Sequence, residues 1–319
     1  MKSKYSASRS FLPTIMTLAG LVFANPSHAL TFFWDGSDST ANADGGTGTW
    51  NTSLTNWDTA ASAGTNTSWL NGNHVAHFNG GTGTVTLGEN ITLAGINGFA
   101  GASGSSISAG SGPFTLNFNN TSNTFSLAAS STTGRTLTIN PAVAGVAGRN
   151  LVINGPATSG SGIVILNGIN TYLGATTLQN NVTLRIGGLG SLGSGSYAGT
   201  IAIGTGTTFD YNSSTAQNLG GAISGAGALN KTGAGTVTLT AANGHTGTTT
   251  ITNGTLALTG AGALASTLID VQAATSIFDV TASGFTLATA KTLTRHWARF
   301  SRPSRSPVSP TPGPIGKAT

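Results

Sequence analysis

A segment near the middle of this 319-residue chain recurs 73 residues further on. Setting Gly160 on Gly233 aligns Gly162 with Gly235, Val164 with Val237, Leu166 with Leu239 and Asn170 with Asn243. Gly174 then meets Gly247, Thr176 and Thr177 meet Thr249 and Thr250, and Asn180 meets Asn253. The text beyond repeats more loosely: Leu189-Gly190-Ser191-Leu192 answers Gly262-Ala263-Leu264-Ala265, and Phe209-Asp210 answers Phe278-Asp279. Repetition of this kind favours a fold in which each unit buries its apolar side against the next.

Within each copy, short runs alternate apolar residues with Thr or Ser, as in Thr236-Val237-Thr238-Leu239-Thr240. That is a period-two strand signal with β-branched enrichment. Gly and Asn punctuate the strands at intervals of about 8–12 residues, which marks turns. The pattern predicts an all-β solenoid whose coils take about 20–25 residues, about three to a repeat. Residues 111–290 then stack roughly 7–9 coils at ~4.8 Å, a rod some 35–45 Å long. Val237, Leu239, Ile251, Leu256 and Leu258 are expected to point inward, as are Val164, Leu166 and Leu178. Thr and Asn at equivalent positions should form hydrogen-bonded ladders, with glycine at positive-φ corners.

Composition agrees and closes other routes. The chain has 47 glycines, 10 prolines and no cysteine, and charged residues make up 7%. The missing thiol excludes a disulfide framework, a zinc-thiolate site and a cysteine nucleophile. So few charges leave little for helices with charged outer faces. Glycine without a Gly-X-Y period excludes collagen. A hydrophobic share of 38% argues against full disorder.

The sequence pI of about 9.9 belongs to the two ends. Between residues 30 and 290 the cations are Arg135, Arg149, Arg185 and Lys231 against all eight acids, so 4 − 8 gives −4. A body of this charge offers no basic stripe for nucleic acid.

The N-terminus reads as a signal peptide, 1–29: a basic start, the apolar run Phe11–Phe23, then small residues Ser27 and Ala29 before the cut. That run is too short to span ~30 Å of hydrocarbon, and no later segment reaches 18 continuous apolar residues, so no transmembrane segment is expected in the mature chain. From Arg295 the text turns rich in Arg and Pro, which predicts a disordered basic tail over 295–319. Leu287–Thr294 reads as a strand entering a Gly-Thr-Gly corner. Codons for Arg295-His296-Trp297 can be chosen so that reading one nucleotide later gives Gly-Thr-Gly. The tail is therefore read as out of frame, an expectation that sequencing of the gene and its downstream DNA tests.

The pattern Gly-x-Gly-x-Val-x-Leu-x-x-x-Asn-x-x-x-Gly-x-Thr-Thr-x-x-x-Asn-Gly-Thr-Leu-x-Leu over 233–258 resembles the autotransporter-associated β-strand repeat. The copy at 160–184 departs from it, with Asn181-Val182 in place of the Gly before the last strand. The resemblance covers about 160–290. It implies a right-handed parallel β-helix in an exported, usually surface-displayed passenger. Residues 30–110 are similar to the start of such passengers: Trp34-Asp35-Gly36, Gly48-Thr49-Trp50, Asn56-Trp57, Trp69-Leu70-Asn71-Gly72 and Ala76-His77-Phe78. Four of the five tryptophans fall here, which predicts an N-terminal cap over the first coil's edge. The translocator barrel that ends classical autotransporters is absent from this chain. The expected division is 1–29 signal peptide, 30–110 cap and first coils, 111–294 parallel β-helix with repeats at about 160–230 and 233–294, and 295–319 tail.

Several residue groups invite chemistry. Gly188, Gly190 and Gly193 match G-x-G-x-x-G with Asp210 about 20 residues on, but a dinucleotide site needs a helix after the turn, and Ser194–Gly199 is a poor helix former. Asp35, Asp38 and Asp44 could offer oxygens to calcium, yet their spacing fits no EF-hand or nonapeptide repeat. His74 and His77 fall on opposite faces of a strand. Polysaccharide lyases and hydrolases also use β-helices, and need clustered acids or acids beside a base. Over 111–290 the acids are Asp210, Asp270 and Asp279, and neither Arg185 nor Lys231 has an acidic neighbour in sequence. Asp210 and Asp279 hold the same place in successive repeats, which marks a structural position.

No catalytic residue, no cofactor and no metal is assigned from the sequence. The reading is an exported, non-enzymatic β-solenoid at the cell surface or outside the cell, a scaffold or adhesion module whose partners are glycans or extracellular matrix. The alternative is a β-helical carbohydrate-active enzyme, a polysaccharide lyase or hydrolase.

Overall fold

The computed structural model describes residues 29–36, 43, 45–78, 83–98, 105–127, 135–156, 161–282 and 292–295. The signal-peptide stretch up to residue 28, the tail beyond Arg295, and Asp38 and Asp44 lie outside the described residues. The described chain is a parallel β-solenoid of three faces. Face 1 is a ten-stranded sheet that runs from the N-terminal end to Ile223–Ser224. Face 2 is an eleven-stranded sheet from Gly48–Trp50 to Thr292–Arg295. Seven of those eleven strands lie within 111–290, the lower end of the expected number of coils.

Face 3 is broken. A three-stranded sheet (Ile91–Leu93, Thr115–Phe118, Ala142–Ala144) ends there, and a five-stranded sheet begins at Ser196–Tyr197. Between the two, the chain crosses the face with the single bridge Ile169 to Ser191. On face 1, Ala242–Asn243 and Ala263–Leu264 pair as a two-stranded sheet next to Ile223–Ser224.

Parallel stacking places like on like. On face 2 the inward column runs Ile139, Leu166, Ile186, Tyr211, Lys231, Ile251, Val271. Steps along it span 20 to 27 residues, so all but the longest, Ile139 to Leu166, fall within the expected coil length. The eight residues expected inward are all buried. Each leucine so buried contributes about 1.5–3 kcal/mol. Lys231 stands in this column at 1% exposure. Its ammonium donates to the Gly233 carbonyl and to Asn253 O at 3.1 Å, and lies 5.9 Å from the Tyr211 ring centroid.

The repeat explains itself at atomic detail. Asn170 Oδ1 accepts from Val143 N at 3.0 Å, while Nδ2 donates to Gly168 O at 2.8 Å and Ser191 O at 3.0 Å. Asn243 does the same with Ile223 N, Ala241 O and Ala263 O at 2.8, 2.7 and 3.0 Å. Each amide thus ties its own coil to the coils on either side. Behind it, Tyr172, Thr176 and Tyr197 share buried hydroxyl bonds of 2.9 and 2.8 Å. His245, Thr249 and Ser266 form the matching network at 2.7 to 2.9 Å. A Cβ on Gly174 would meet Arg149 O at 2.1 Å, and one on Gly247 would meet Gly227 O at 2.1 Å.

The two copies nevertheless lie on different faces. Gly162–Leu166 is on face 2, whereas its counterpart Thr236–Leu239 is on face 3. The 73-residue unit is therefore three coils plus one face, not three coils. The offset also drifts. Copy 1 turns its corner on two left-handed asparagines, Asn180 (φ 60°) and Asn181 (φ 51°), where copy 2 uses Gly254 (φ 66°). That extra residue makes Leu184 the partner of Val164 as Leu256 is of Val237, an offset of 72.

At the N-terminal end the edge of face 1 is closed by antiparallel pairing. Thr31–Trp34 pairs with Trp57–Asp58, which pairs with Asn66–Thr67. Trp34, Trp50, Trp57 and Trp69 are fully buried there, in contacts with ring centroids 4.9 to 5.0 Å apart. Edge-on and tilted aromatic packing of this kind adds about 0.5–1.5 kcal/mol per pair beyond area burial.

Candidate functional site

The three acids between residues 111 and 290 do not converge. Asp210 projects from the outer side of face 2 yet is only 2% exposed. Arg185 on the preceding coil donates to it through Nε at 2.7 Å, and Thr232 Oγ1 donates at 2.6 Å. Packing has thus brought Asp210 the cation that sequence order does not. Asp270 stands three ladder steps on, by way of Asn230 and Thr250. Three steps amount to ~14 Å. Asp270 accepts from Gln272 Nε2 at 2.7 Å. Asp279 is on face 3, where its carboxylate accepts from Thr281 N at 3.0 Å.

Asp210 and Asp279 are equivalent in topology and different in surroundings. Asp210 registers with Arg185, and Asp279 registers with Ala257. The second repeat has Ala257 in place of the cation, and among the described residues Asp279 makes no ion pair. Burial lowers the Lys231 pKa to about 8, with the Asp210 charge opposing the shift. Burial likewise raises the Tyr172 hydroxyl well above its ordinary value and Tyr197 to about 12. Both phenols stay protonated and serve the network inside the coil.

The remaining motifs fall on structural duties. After Gly188 (φ 58°) the chain makes only a three-residue turn, Gly193–Gly195, with no α-helix to receive a pyrophosphate. Asp35 is buried under the cap, with Asn66 Nδ2 at 3.3 Å from its carboxylate. His74 is buried against Phe32 and Trp69, and its Nδ1 accepts from Leu30 N at 3.1 Å. His77 faces the other way and packs on Phe33, ring centroids 4.9 Å apart. Among the described residues no group of three His, Cys, Asp or Glu side chains gathers to hold a metal ion. No helix among them is long and apolar enough to cross a membrane.

Two outer grooves mark the surface. On face 1, Gly95 leaves a gap between Val75 and Thr124, edged by Asn97, Ser122 and Ser126, with a volume of about 360 Å³. On face 3 the broken sheet leaves a groove of about 420 Å³ lined by Asn117, Phe118, Val146, Arg149 and Thr171. Ladders of amides and hydroxyls cross the coils between them, as in Asn180 to Asn154 at 2.6 Å and Asn154 to Ser126 at 3.3 Å. The face 3 groove has no motif in the sequence, because it exists only where two sheets fail to join.

The family model described as Passenger-associated-transport-repeat matches residues 159–186 and 229–258. These ends, 186 and 258, carry the same offset of 72 that strand register gives. The chain is also similar to the Adhesin BmaC autotransporter of Brucella suis biovar 1 (strain 1330), at 32% identity over 244 residues. That alignment covers 74% of this chain and 6% of the adhesin's length. No solved structure matches the chain.

Proposed function

We propose that this β-solenoid of autotransporter-passenger type, with its two passenger-associated-transport repeats, is exported and displayed at the cell surface as a non-enzymatic scaffold and adhesion module. Residues 1–29 act as its export signal. Its partners are glycans or extracellular matrix, met by many weak contacts along the rod, and multivalency turns such contacts into lasting attachment. The relative at hand is itself named an adhesin.

The observation that carries the reading is the outer surface. On face 3, Ser196, Asn218 and Thr238 follow one another in register, and on face 2 Asn230 and Thr250 do so beside Asp210. Hydroxyls and amides thus repeat every ~4.8 Å along the rod. Acid pairs that cleave glycosidic bonds stand ~5–9.5 Å apart. Asp210 and Asp270 are farther apart than that, and Asp279 is on another face. This spacing supports a role in contact, not turnover.

The test coats beads with the purified mature chain and scores attachment to matrix-coated and glycan-coated surfaces, while a polysaccharide panel is assayed for released products. Attachment without turnover is expected, and antibody labelling of intact cells should find the chain outside. Polysaccharide cleavage that disappears in the Asp210→Ala, Asp279→Ala double variant would overturn the proposal.

A further inference from the structure

The middle of the rod carries one sign of charge. From Glu89 to Asp210 there is no acidic residue, and that stretch holds Arg135, Arg149 and Arg185. Arg135 is buried and Arg185 is committed to Asp210. Arg149 is different. Among the described residues it has no carboxylate within ion-pair distance, and it lines the groove at the break in face 3.

Local structure fixes it there. Val146 to Arg149 is a turn closed by Arg149 N donating to Val146 O at 3.1 Å, with Gly148 at φ 80°. This is type II geometry, which needs glycine at its third position. One guanidinium N–H group donates to Asn119 O, which holds the side chain across the groove. A guanidinium has five N–H donors, so donors remain for a ligand. Val146, 68% exposed, stands on the same turn, and Phe118 lines the groove with it. Asn117 and Thr171 supply an amide and a hydroxyl. Ile169 and Leu173, on either side of Thr171, are also exposed.

We propose that this groove binds a carboxylate-bearing sugar unit, of the uronic or sialic acid kind. The inference rests on the adhesion reading and gives it a place and a ligand class. The guanidinium pairs with the carboxylate, a geometry for which arginine is suited and lysine is not. The exposed Val146 meets the C–H face of the ring over a floor set by the buried Phe118, and Asn117 and Thr171 meet its hydroxyls. The volume lies within the ~300–1,000 Å³ of small-ligand sites.

The test is titration calorimetry on the full chain. The probes are sialyllactose against lactose, and a glucuronic acid-containing tetrasaccharide against its carboxyl methyl ester. The carboxylated member of each pair should bind at least tenfold more tightly, and less tightly as salt is raised. Arg149→Gln should abolish that preference with an unchanged circular dichroism spectrum and melting temperature, and Arg149→Lys should restore it only in part. Equal binding of acid and ester, equal binding by Arg149→Gln, or tighter binding of an acidic peptide would each overturn the proposal. If the chain still attaches to matrix in those cases, the groove assignment falls and the adhesion reading stands. If it attaches to nothing, both fall.

Discussion

Replacing Asn243 with alanine deletes three hydrogen bonds in one step, to Ile223 N, Ala241 O and Ala263 O. The three groups are unequal. Ala241 O keeps a second donor, Ala263 N at 3.3 Å, whereas the Ile223 N–H loses the buried acceptor it used. A lost hydrogen bond costs about 1 kcal/mol, and an orphaned buried donor about 1–3 kcal/mol. The sum is about 3–5 kcal/mol, a large part of the ~5–15 kcal/mol that holds a domain together. Since a solenoid opens locally, the sharper readout is amide exchange at Ile223, which should lose protection before distant coils do. Asn243→Asp separates the causes. It keeps the acceptor for Ile223 but turns an oxygen toward two carbonyls, so it should cost no less than alanine. Asn170→Ala should repeat the effect at Val143, its donor. If Ile223 stays protected in Asn243→Ala and urea unfolding is unmoved, the clamp is not what ties the coils.

Lys231→Met fills the same interior column without a charge. Because the native lysine has a pKa of about 8 against 10.5 when free, the unfolded chain holds the proton more tightly between those values. Wild-type stability should therefore rise as pH goes from 8 to 10.5, and Lys231→Met should flatten that slope in melts across the range. Gly247→Ala should lower the stability read from thermal melts, since its Cβ would strike Gly227 O, while Gly244→Ala, with nothing within 4 Å, should leave stability within about 0.5 kcal/mol of wild type. Arg185→Ala should cost more than Asp210→Asn, because it leaves a buried carboxylate without its cation; a double-mutant cycle showing no coupling would contradict the pair.

The solenoid was legible because its information is local and repeated. Alternation in Thr236–Thr240 names the inward residues, and Gly174 and Gly247 sit at equal places because each packs against the backbone of the coil beside it. The tryptophans of the cap were readable for a related reason, as bulky side chains concentrated where an edge needs covering. What stayed hidden depends on residues far apart in sequence. The Arg185–Asp210 pair spans a coil, and Lys231 looks like a surface lysine until its column is known. The break in face 3 was invisible because nothing in Ile169–Ala175 forbids a strand; the Asn170 clamp takes the segment another way. The rotation of one repeat against the other was likewise hidden, since counting residues does not reveal where on a coil the count stops.

That rotation works like a screw thread. A unit advancing three coils and one face moves ~16 Å along the axis and a third of the way around it. Consecutive units therefore look in different compass directions, and a run of three covers every bearing. Any side chain written into such a unit is broadcast around the rod, so an approaching surface meets it whatever the roll angle. A flat target, however, can touch only every third unit at once. The pitch of the thread thus sets how far apart a wall of ligands must be to be held at more than one point.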